Sequence, residues 1–289
     1  MTAPERPEPG LHLVATPIGR ARDITLTALD VLAGADMLAA EDTRSLRRLL
    51  GIHAIQLGGR ALISYHDRNG PAARPRILRA LAGGKSVAYA SEAGSPLIAD
   101  PGYRLVQAAL EAGHKVHCAP GPSAVITALS VAGLATDRFL FAGFAPAAAG
   151  ARRRWLAEIA PIPATLVILD SPMRVKQTLS ELMNAVGDDR EMALCRELTK
   201  RHEEVIRGTV AEVCSHVETT PPRGEIVLVI ERARRPGPEE EDSAAMDEML
   251  KSAMAELSLS EAVARVAARV ALPRRRVYAR ALELRDAAR

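Results

Sequence analysis

The amino-acid sequence predicts an α/β protein made of two α/β domains and a helical C-terminal region. Over the first 145 residues, short apolar runs alternate with segments of helical periodicity, which is typical of a largely parallel sheet covered by helices. The alternation resumes after a loose stretch from Ala145 to Arg154, and beyond a charged linker from Arg234 to Asp242 only helical patterns remain. We therefore expect α/β domains at residues 1–145 and 146–233, and a basic helical region at residues 243–289.

Five strands are expected in the first domain, because five apolar runs are bounded by turn-forming residues. They are Leu11–Ala15, Met37–Ala40, Leu62–Tyr65, Val87–Ala90 and Lys115–Cys118. Helices are expected at Arg76–Leu81 and at Tyr103–Glu111. Asp23 should cap a helix that ends at Gly34, because its carboxylate can accept hydrogen bonds from the first amides of the helix. For the same reason Ser123 should cap a helix that runs towards Val131.

The second domain is expected to contain a smaller, mixed sheet. Its elements are strand Thr165–Leu169, helix Val175–Ala185, strand Met192–Cys195 and strand Glu225–Ile230. In the helical region, Ser258 and Glu261 have the spacing of a capping box, and Pro273 suits the first turn of the next helix. These signals predict a helix-turn-helix whose second helix carries four arginines, Arg274, Arg275, Arg276 and Arg280.

The composition excludes several classes of protein. Aromatic residues make up only 3% of the chain, too few for a module that stacks RNA bases on a sheet. Cys118, Cys195 and Cys214 are widely separated, which argues against a disulfide framework and a zinc site. The polar N-terminus is unlike a signal peptide, and no apolar run approaches the length of a membrane span. We therefore expect a soluble, cytoplasmic protein without a metal.

Polar loops follow each strand of the first domain. They are T-P-I-G (Thr16 to Gly19), A-E-D-T-R (Ala40 to Arg44), S-Y-H-D-R-N (Ser64 to Asn69), S-E-A-G-S-P (Ser91 to Pro96) and A-P-G-P-S (Ala119 to Ser123). Open α/β sheets bind ligands at the carboxyl ends of their strands, so five such loops indicate a site. No G-x-G-x-x-G follows the first strand, and G-G-K-S (Gly83 to Ser86) precedes a strand, which excludes a phosphate-binding P-loop.

Later motifs extend this pattern to nearly the whole chain. They are S-E-A-G-S-P-L-I-A-D-P-G-Y (Ser91 to Tyr103), I-T-A-L-S (Ile126 to Ser130), R-E-L-T-K (Arg196 to Lys200) and R-G-E-I-V-L-V-I-E (Arg223 to Glu231). Together with T-P-I-G, E-D-T-R, H-D-R-N and P-G-P-S-A, they resemble the ribosomal RNA small-subunit methyltransferase I family, which has the tetrapyrrole-methylase fold. The resemblance implies a homodimer with S-adenosyl-L-methionine between the two α/β domains. It also implies methyl transfer to the 2′-hydroxyl of a cytidine ribose near the decoding centre.

The resemblance also implies a set of cofactor-binding residues. They are Pro17, Gly94, Ser95, Ile98, Ser123, Ala124, Leu169, Leu198 and Gly224. The chain departs from the family pattern at Glu92, where Asp is usual, and at Asp170 and Met173, where E-S-P-H-R is usual. An essential imidazole at position 173 is therefore excluded.

A ribose hydroxyl is a poor nucleophile, so a base should help to remove its proton. His66 is our candidate, Glu41, Asp42 and Asp67 are competitors, and the alternative for His66 is a hydrogen bond to a backbone carbonyl. The RNA-binding candidates are Glu41, Asp42, Arg44, Asn69, Arg196, Lys200, Arg274, Arg275 and Arg276.

Each group of RNA-binding candidates has a structural alternative. Asp42 can cap a helix and pair with Arg44, and Arg196 and Lys200 can pair with acids such as Glu203. From Glu261 onwards, eight arginines face three acids, which favours contact with RNA or with the small ribosomal subunit, although such a helix can be only soluble surface. A second basic contact is expected at Arg152, Arg153 and Arg154.

Two rival functions stay open. The same fold methylates precorrins and diphthine intermediates, but E-D-T-R and R-E-L-T-K favour the ribosomal branch. A non-catalytic ribosome-assembly factor would use the fold only to bind RNA. Retention of all the cofactor-side loops argues against that interpretation, and a cofactor-binding measurement would separate the two.

Overall fold

A computed structural model of the protein describes residues 6–66, 68–233, 238–270 and 273–287, without the side chains of residues 238–245 and 286–287. Asp67, one of the competing bases, lies outside these residues. The chain divides after Ala233 into two compact units. The first contains two five-stranded sheets, and the described elements of the second are all helices.

The first sheet is parallel throughout, in the order β3-β2-β4-β1-β5. Its strands are β1 (Gly10–Val14), β2 (Met37–Ala40), β3 (Ala61–Ser64), β4 (Ser86–Ala90) and β5 (Val116–Ala119). Every residue of β2 and β4 is buried, because these strands lie inside the sheet with helices over both faces. The five predicted strands are confirmed to within one residue at each end. All carboxyl ends therefore lie on one edge, as the prediction from the loops requires.

Five α-helices follow these strands. They are α1 (Leu26–Gly34), α2 (Thr43–Ile52), α3 (Gly70–Ala82), α4 (Tyr103–Glu111) and α5 (Ala124–Ala132). The prediction for Asp23 is wrong: it lies in a short 3₁₀ turn, and Thr25 caps α1 by accepting a hydrogen bond from the amide of Ala28 at 3.2 Å. Helix α3 begins six residues before the predicted Arg76, because Pro71 suits its first turn.

The second sheet is mixed, as predicted, with the order β6-β7-β10-β8-β9. Its strands are β6 (Phe139–Phe144), β7 (Thr165–Asp170), β8 (Glu191–Arg196), β9 (Glu204–Thr209) and β10 (Ile226–Ile230). Only β6 and β7 run parallel. The sequence did not predict β6 or β9. Strand β6 belongs to this sheet although it precedes residue 146, where we expected the second domain to begin.

Helices α6 (Ala149–Ile159), α7 (Val175–Val186) and α8 (Val210–Thr219) pack against the second sheet. The stretch expected to be a surface link therefore contains the start of α6. The expectation that Arg152 contacts RNA is wrong, because its side chain is only 1% exposed. Its guanidinium donates to Glu181 Oε2 at 2.8 Å and to the carbonyl oxygen of Pro146 at 3.1 Å. Arg152 is a core ion-pair residue, whereas Arg153 is exposed.

The C-terminal unit consists of α9 (Pro238–Glu256), α10 (Leu259–Val270) and α11 (Arg274–Ala287) around a small apolar core. Helix α9 begins inside the stretch expected to be a linker. The predicted capping box opens α10: the amide of Ser258 donates to Glu261 at 3.1 Å, and the amide of Glu261 donates to the Ser258 hydroxyl at 3.4 Å. Among the described residues, no helix is both long and apolar enough to cross a membrane.

Candidate active site

The loops after β1 and β4 are joined by paired backbone hydrogen bonds. The amide of Thr16 donates to the carbonyl of Gly94 at 2.9 Å, and the amide of Gly94 donates back at 3.0 Å. The buried hydroxyl of Ser91 donates to the same Gly94 carbonyl at 2.5 Å. Gly94 has a φ of +79°, which a side chain would strain. T-P-I-G and S-E-A-G-S-P therefore form one rigid edge.

The loop after β5 is held by two side-chain hydrogen bonds, one from this edge and one from the N-cap residue of α1. Ser95 Oγ donates to the carbonyl of Pro122 at 3.1 Å, and Thr25 Oγ1 donates to the carbonyl of Pro120 at 3.1 Å. Ser123 stands at the N-cap of α5, but its side chain makes no capping hydrogen bond. The predicted capping role of the Ser123 hydroxyl is therefore wrong.

The opposite wall comes from the second sheet, mainly from the loop between β8 and β9. Glu197 Oε1 accepts hydrogen bonds from Lys200 Nζ and from the amide of Glu225, both at 3.0 Å. These hydrogen bonds hold the pKa of Glu197 below its usual range, the amide having the larger effect. Gly224, with a φ of +85°, lets the Glu197 side chain lie against its α-carbon.

The two walls meet at Gly19. A Cβ atom there would touch Thr199 Oγ1 and lie 2.7 Å from Lys200 Cγ. The amide of Arg20 also donates to Thr199 Oγ1 at 3.3 Å. Close approach of the T-P-I-G and R-E-L-T-K loops therefore depends on the absence of a side chain at position 19.

Backbone strain is concentrated in the same loops. Of the non-glycine residues that the structure describes with positive φ, Leu97 and Ala99 follow β4, and Glu197 and Thr199 follow β8; Ala54 lies elsewhere. Such conformations cost of order 1–3 kcal/mol each and persist where the surroundings enforce them, often at functional sites.

Between the walls lies a cleft of about 780 Å³. Eight of the nine residues predicted to bind a cofactor line it, namely Pro17, Gly94, Ser95, Ile98, Ser123, Ala124, Leu169 and Leu198. The ninth, Gly224, lies beside the lining residue Glu225 and supports the wall through Glu197. The structure therefore brings the predicted cofactor residues together.

The cleft is acidic. Five carboxylates line it, those of Glu41, Glu92, Asp100, Asp170 and Glu225, against two cations, Arg48 and Lys200. Partial burial raises the pKa of Glu92, and the charges of Glu41, Asp42 and Glu225 raise it further. Apolar walls with an excess of negative charge fit S-adenosyl-L-methionine, which combines a nucleoside with a sulfonium cation and an α-amino group.

A second, smaller hollow of about 340 Å³ is lined by Glu41, His66, Arg68 and Pro101. The side chain of Asn69 holds the loop that carries His66: Oδ1 accepts from the amide of His66 at 2.8 Å, and Nδ2 donates to the carbonyl of Ser64 at 3.0 Å. The imidazole Nδ1 of His66 accepts from the backbone amide of Asn69 at 3.3 Å.

Two known protein families match this chain, one on each side of the boundary after Ala233. Residues 10–214 match the family described as Tetrapyrrole (Corrin/Porphyrin) Methylases, and residues 240–285 match the RsmI C-terminal HTH domain. The ribosomal RNA small subunit methyltransferase I of Mesorhizobium japonicum is 44% identical over 285 residues, covering 98% of this chain and 95% of the relative. The chain belongs to the ribosomal RNA small subunit methyltransferase I family. A member from Synechocystis sp. is 40% identical over 278 residues, covering 95% and 98% of the two chains.

Solved structures agree on the fold. A cobalt precorrin-4 methyltransferase of cobalamin biosynthesis has a TM-score of 0.58 at 18% identity, covering 76% of this chain and 94% of that chain. A uroporphyrin-III-C-methyltransferase from Thermus thermophilus has a TM-score of 0.55 at 21% identity, covering 76% and 93%. The predicted tetrapyrrole-methylase fold is confirmed. At these identities the likeness carries no information about the substrate.

The RNA-binding candidates of the family member are partly engaged with other protein groups. Asp42 caps α2 by accepting from the amide of Arg44 at 2.8 Å, and the Arg44 guanidinium lies 3.4 Å from the same carboxylate. Arg196 lies 3.4 Å from Glu204. Lys200 lies 3.0 Å from both Glu197 and Glu225. Arg196 and Lys200 therefore both pair with acids, as the structural alternative stated, although the acids differ from the example of Glu203.

Sequence reasoning missed several residues that line the cleft. Ser45 and Arg48 lie one turn apart on α2, and Phe144 ends β6. The spacing of Leu46 and Leu50, both buried, predicts an amphipathic helix and could have revealed α2. Of the two departures from E-S-P-H-R, buried Asp170 lines the cleft, whereas Met173 is 88% exposed. Among the described residues, no three His, Cys, Asp or Glu side chains are grouped to hold a metal ion.

Proposed function

We propose that the chain transfers a methyl group from S-adenosyl-L-methionine to the 2′-hydroxyl of a cytidine ribose in small-subunit ribosomal RNA. The observation that carries this proposal is the cleft, in which eight of the nine residues expected at the cofactor lie together. The family membership supports the RNA substrate. A relative that is 44% identical to this chain over nearly its whole length is named ribosomal RNA small subunit methyltransferase I.

The cofactor supplies an electrophilic methyl group for in-line displacement, so the protein must mainly position two reactants and exclude water. The apolar side chains of Ile98, Leu169 and Leu198 form the walls. The backbone of Pro17 and Gly94 can approach the ligand closely, because the hydrogen bonds between Thr16 and Gly94 fix both loops in advance.

The RNA is held by charge in this proposal. Arg274, Arg275 and Arg276 occupy the first turn of α11, and all three are exposed. A helix N-terminus carries a partial positive charge, so these side chains and the helix dipole attract phosphate together. We propose that they contact ribosomal RNA or the assembled small subunit. We also propose that Arg196 and Lys200, at the end of β8 and in the loop after it, contact the RNA, and that the enzyme works as a homodimer in the cytoplasm.

A methyl-transfer assay tests the proposal. The purified protein is incubated with methyl-labelled S-adenosyl-L-methionine and with small subunits that lack the modification, and the RNA is digested to nucleosides. We expect label in 2′-O-methylcytidine, and cofactor binding in calorimetry. Binding without label in RNA would point to another acceptor, such as a precorrin. Absence of binding would favour a non-catalytic assembly factor.

A further inference from the structure

The hollow at Glu41, His66 and Arg68 adjoins the cofactor cleft. Glu41 lines both spaces, and Asp100 of the cleft precedes Pro101 of the hollow. A ligand in the hollow can therefore reach the cleft past the Glu41 carboxylate. The volume of about 340 Å³ falls within the range of small-ligand pockets, about 300–1,000 Å³.

The hydrogen bonds of His66 determine what its ring can offer to a ligand. The Asn69 amide donates to the backbone carbonyl of His66 at 3.2 Å and shares its proton with Nδ1 of the ring at 3.3 Å. This shared N–H favours a ring whose Nδ1 is unprotonated, and in the neutral ring the proton then lies on Nε2. In this tautomer the open nitrogen is a hydrogen-bond donor, whereas a general base at Nε2 would need an unprotonated nitrogen.

The other groups of the hollow complement that donor. Arg68 is exposed and makes no ion pair within the part of the chain that the structure describes. The Glu41 carboxylate likewise makes no side-chain hydrogen bond to a described residue. A cation and a donor beside one acceptor match a phosphodiester next to a hydroxyl.

We propose that this hollow holds the ribose and one phosphate of the target nucleotide, that Glu41 accepts the hydroxyl proton, and that His66 donates a hydrogen bond to the sugar-phosphate. The proposal rests on the function proposed above. In the reaction, the 2′-oxygen forms a bond to the methyl carbon, and the carbon–sulfur bond breaks with its electron pair passing to sulfur. The hydroxyl proton passes to the Glu41 carboxylate and then to water. Glu92 lines the cleft but not the hollow, so it lies on the cofactor side.

Paired carboxamide variants test the role of Glu41. We expect Glu41→Gln to lower kcat by about 10²–10⁴-fold, the usual range for loss of a general base, and to remove the acidic limb of the pH–rate profile. Its affinity for S-adenosylhomocysteine, measured by calorimetry, should stay within about threefold of wild type, a change below 1 kcal/mol. The matched variant Glu92→Gln should keep the acidic limb. Loss of that limb in Glu92→Gln, with its retention in Glu41→Gln, would overturn the assignment.

Nitrogen-15 NMR tests the role of His66 in the folded protein. We expect the neutral ring to carry its proton on Nε2, and His66→Gln, whose amide can donate from a similar position, to retain more activity than His66→Leu. A proton on Nδ1 would contradict the assignment.

The variant Arg68→Ala tests whether a phosphate binds in the hollow. It should raise KM for the RNA and reduce the slope of log KM against log salt by up to about one unit. An unchanged slope would contradict the proposal that a phosphate binds there.

Failure of the roles proposed for this hollow can be distinguished from failure of the proposed function. If the wild-type protein does not label cytidine, the proposed function fails before any variant is compared. If it labels cytidine and Glu41→Gln is fully active with an unchanged pH profile, only the role assigned to Glu41 and its hollow fails.

Discussion

Gly19 shows how a single residue controls the cleft. It has no positive φ that would require glycine, so its role is steric: there is no room for a Cβ atom against Thr199 and Lys200. The opposite case is Gly51 on α2, where no heavy atom lies within 4 Å of an added Cβ. The two glycines therefore form a matched pair for substitution.

We expect Gly19→Ala to weaken binding of S-adenosylhomocysteine by about tenfold, because forcing an extra methyl into a packed interface typically costs about 1–3 kcal/mol. The 198–200 loop would have to move away from the T-P-I-G loop. Calorimetric titration measures the change, and Gly51→Ala should bind as wild type does. Equal affinity in both variants would mean that the packing of the two loops does not shape the site.

His12 illustrates a residue whose charge opposes folding. Its ring is buried and stacks on His117, with ring centroids 4.6 Å apart. Burial lowers the pKa of His12 from its usual 6.5, and the neighbouring charge of His117 lowers it further, despite a hydrogen bond to the carbonyl of Glu8 that opposes both. The folded state therefore disfavours a proton that the unfolded chain accepts.

This difference predicts a pH dependence of stability. Because the unfolded chain binds more protons below about pH 6.5, the contribution of His12 is fully present above that pH and is lost as the pH falls towards the lower, folded-state pKa. Urea unfolding at pH 7.5 and 5.5 should show a smaller pH effect in His12→Phe than in wild type. The exposed His202→Phe serves as control, and an identical pH effect in His12→Phe and wild type would contradict the account.

At the scale of elements, the buried ion pair of Arg152 and Glu181 joins α6 to α7 in the second α/β domain. Removing one partner of such a pair leaves the other charge buried, which typically costs about 3–5 kcal/mol. We expect Arg152→Ala to lower the free energy of unfolding by that amount, because Glu181 would lose its 2.8 Å partner. Chemical denaturation tests this. Arg153→Ala removes an exposed side chain whose guanidinium lies 3.7 Å from the same Glu181, and it should lower the free energy of unfolding by no more than about 1 kcal/mol.

The proposed contact between helix α11 and RNA can be tested by removing the arginines of its first turn. We expect the combined change of Arg274, Arg275 and Arg276 to alanine to weaken binding to the small subunit. It should also flatten the dependence of affinity on salt, by about 0.7–0.9 of a logarithmic unit for each phosphate that the variant no longer neutralises. Filter binding across a salt series measures both effects. The control variant Arg76→Ala with Arg79→Ala changes two exposed arginines of α3 and should leave the slope unchanged. An equal reduction of the slope in this control would mean that any surface arginine contributes and that α11 is not a specific contact.

Elements were predictable from the sequence where burial dominates. Strand β4 was expected at Val87–Ala90 and spans Ser86–Ala90, because a continuous apolar run in a central parallel strand has few alternatives. Strand β9 was missed because it is an edge strand without a fully buried residue, so it lacks an apolar signature. Helix α2 entered the sequence analysis only as the helix that Asp42 could cap, and its bounds were not predicted, although Leu46 and Leu50 have the spacing of a buried helical face.

At the scale of the whole molecule, topology explains why the position of the site could be predicted. Carboxyl ends of parallel strands share one edge, so the loops after β1, β4 and β5 had to converge. The individual cofactor-binding residues were indicated by the family resemblance, including Leu169 on β7 and Leu198 in the loop after β8. The tautomer of His66 depends on a hydrogen bond to the Asn69 amide, which no sequence pattern encodes.

The central claim is that this protein methylates a cytidine ribose of the small subunit, and RNA from cells tests it most directly. Small-subunit RNA is taken from cells without the gene, and from the same cells complemented with wild type or with Glu41→Gln, and is mapped by nuclease digestion and mass spectrometry. We predict that one 2′-O-methylcytidine disappears on deletion, returns with wild type and does not return with the variant. An unchanged set of 2′-O-methylcytidines after deletion would contradict the account.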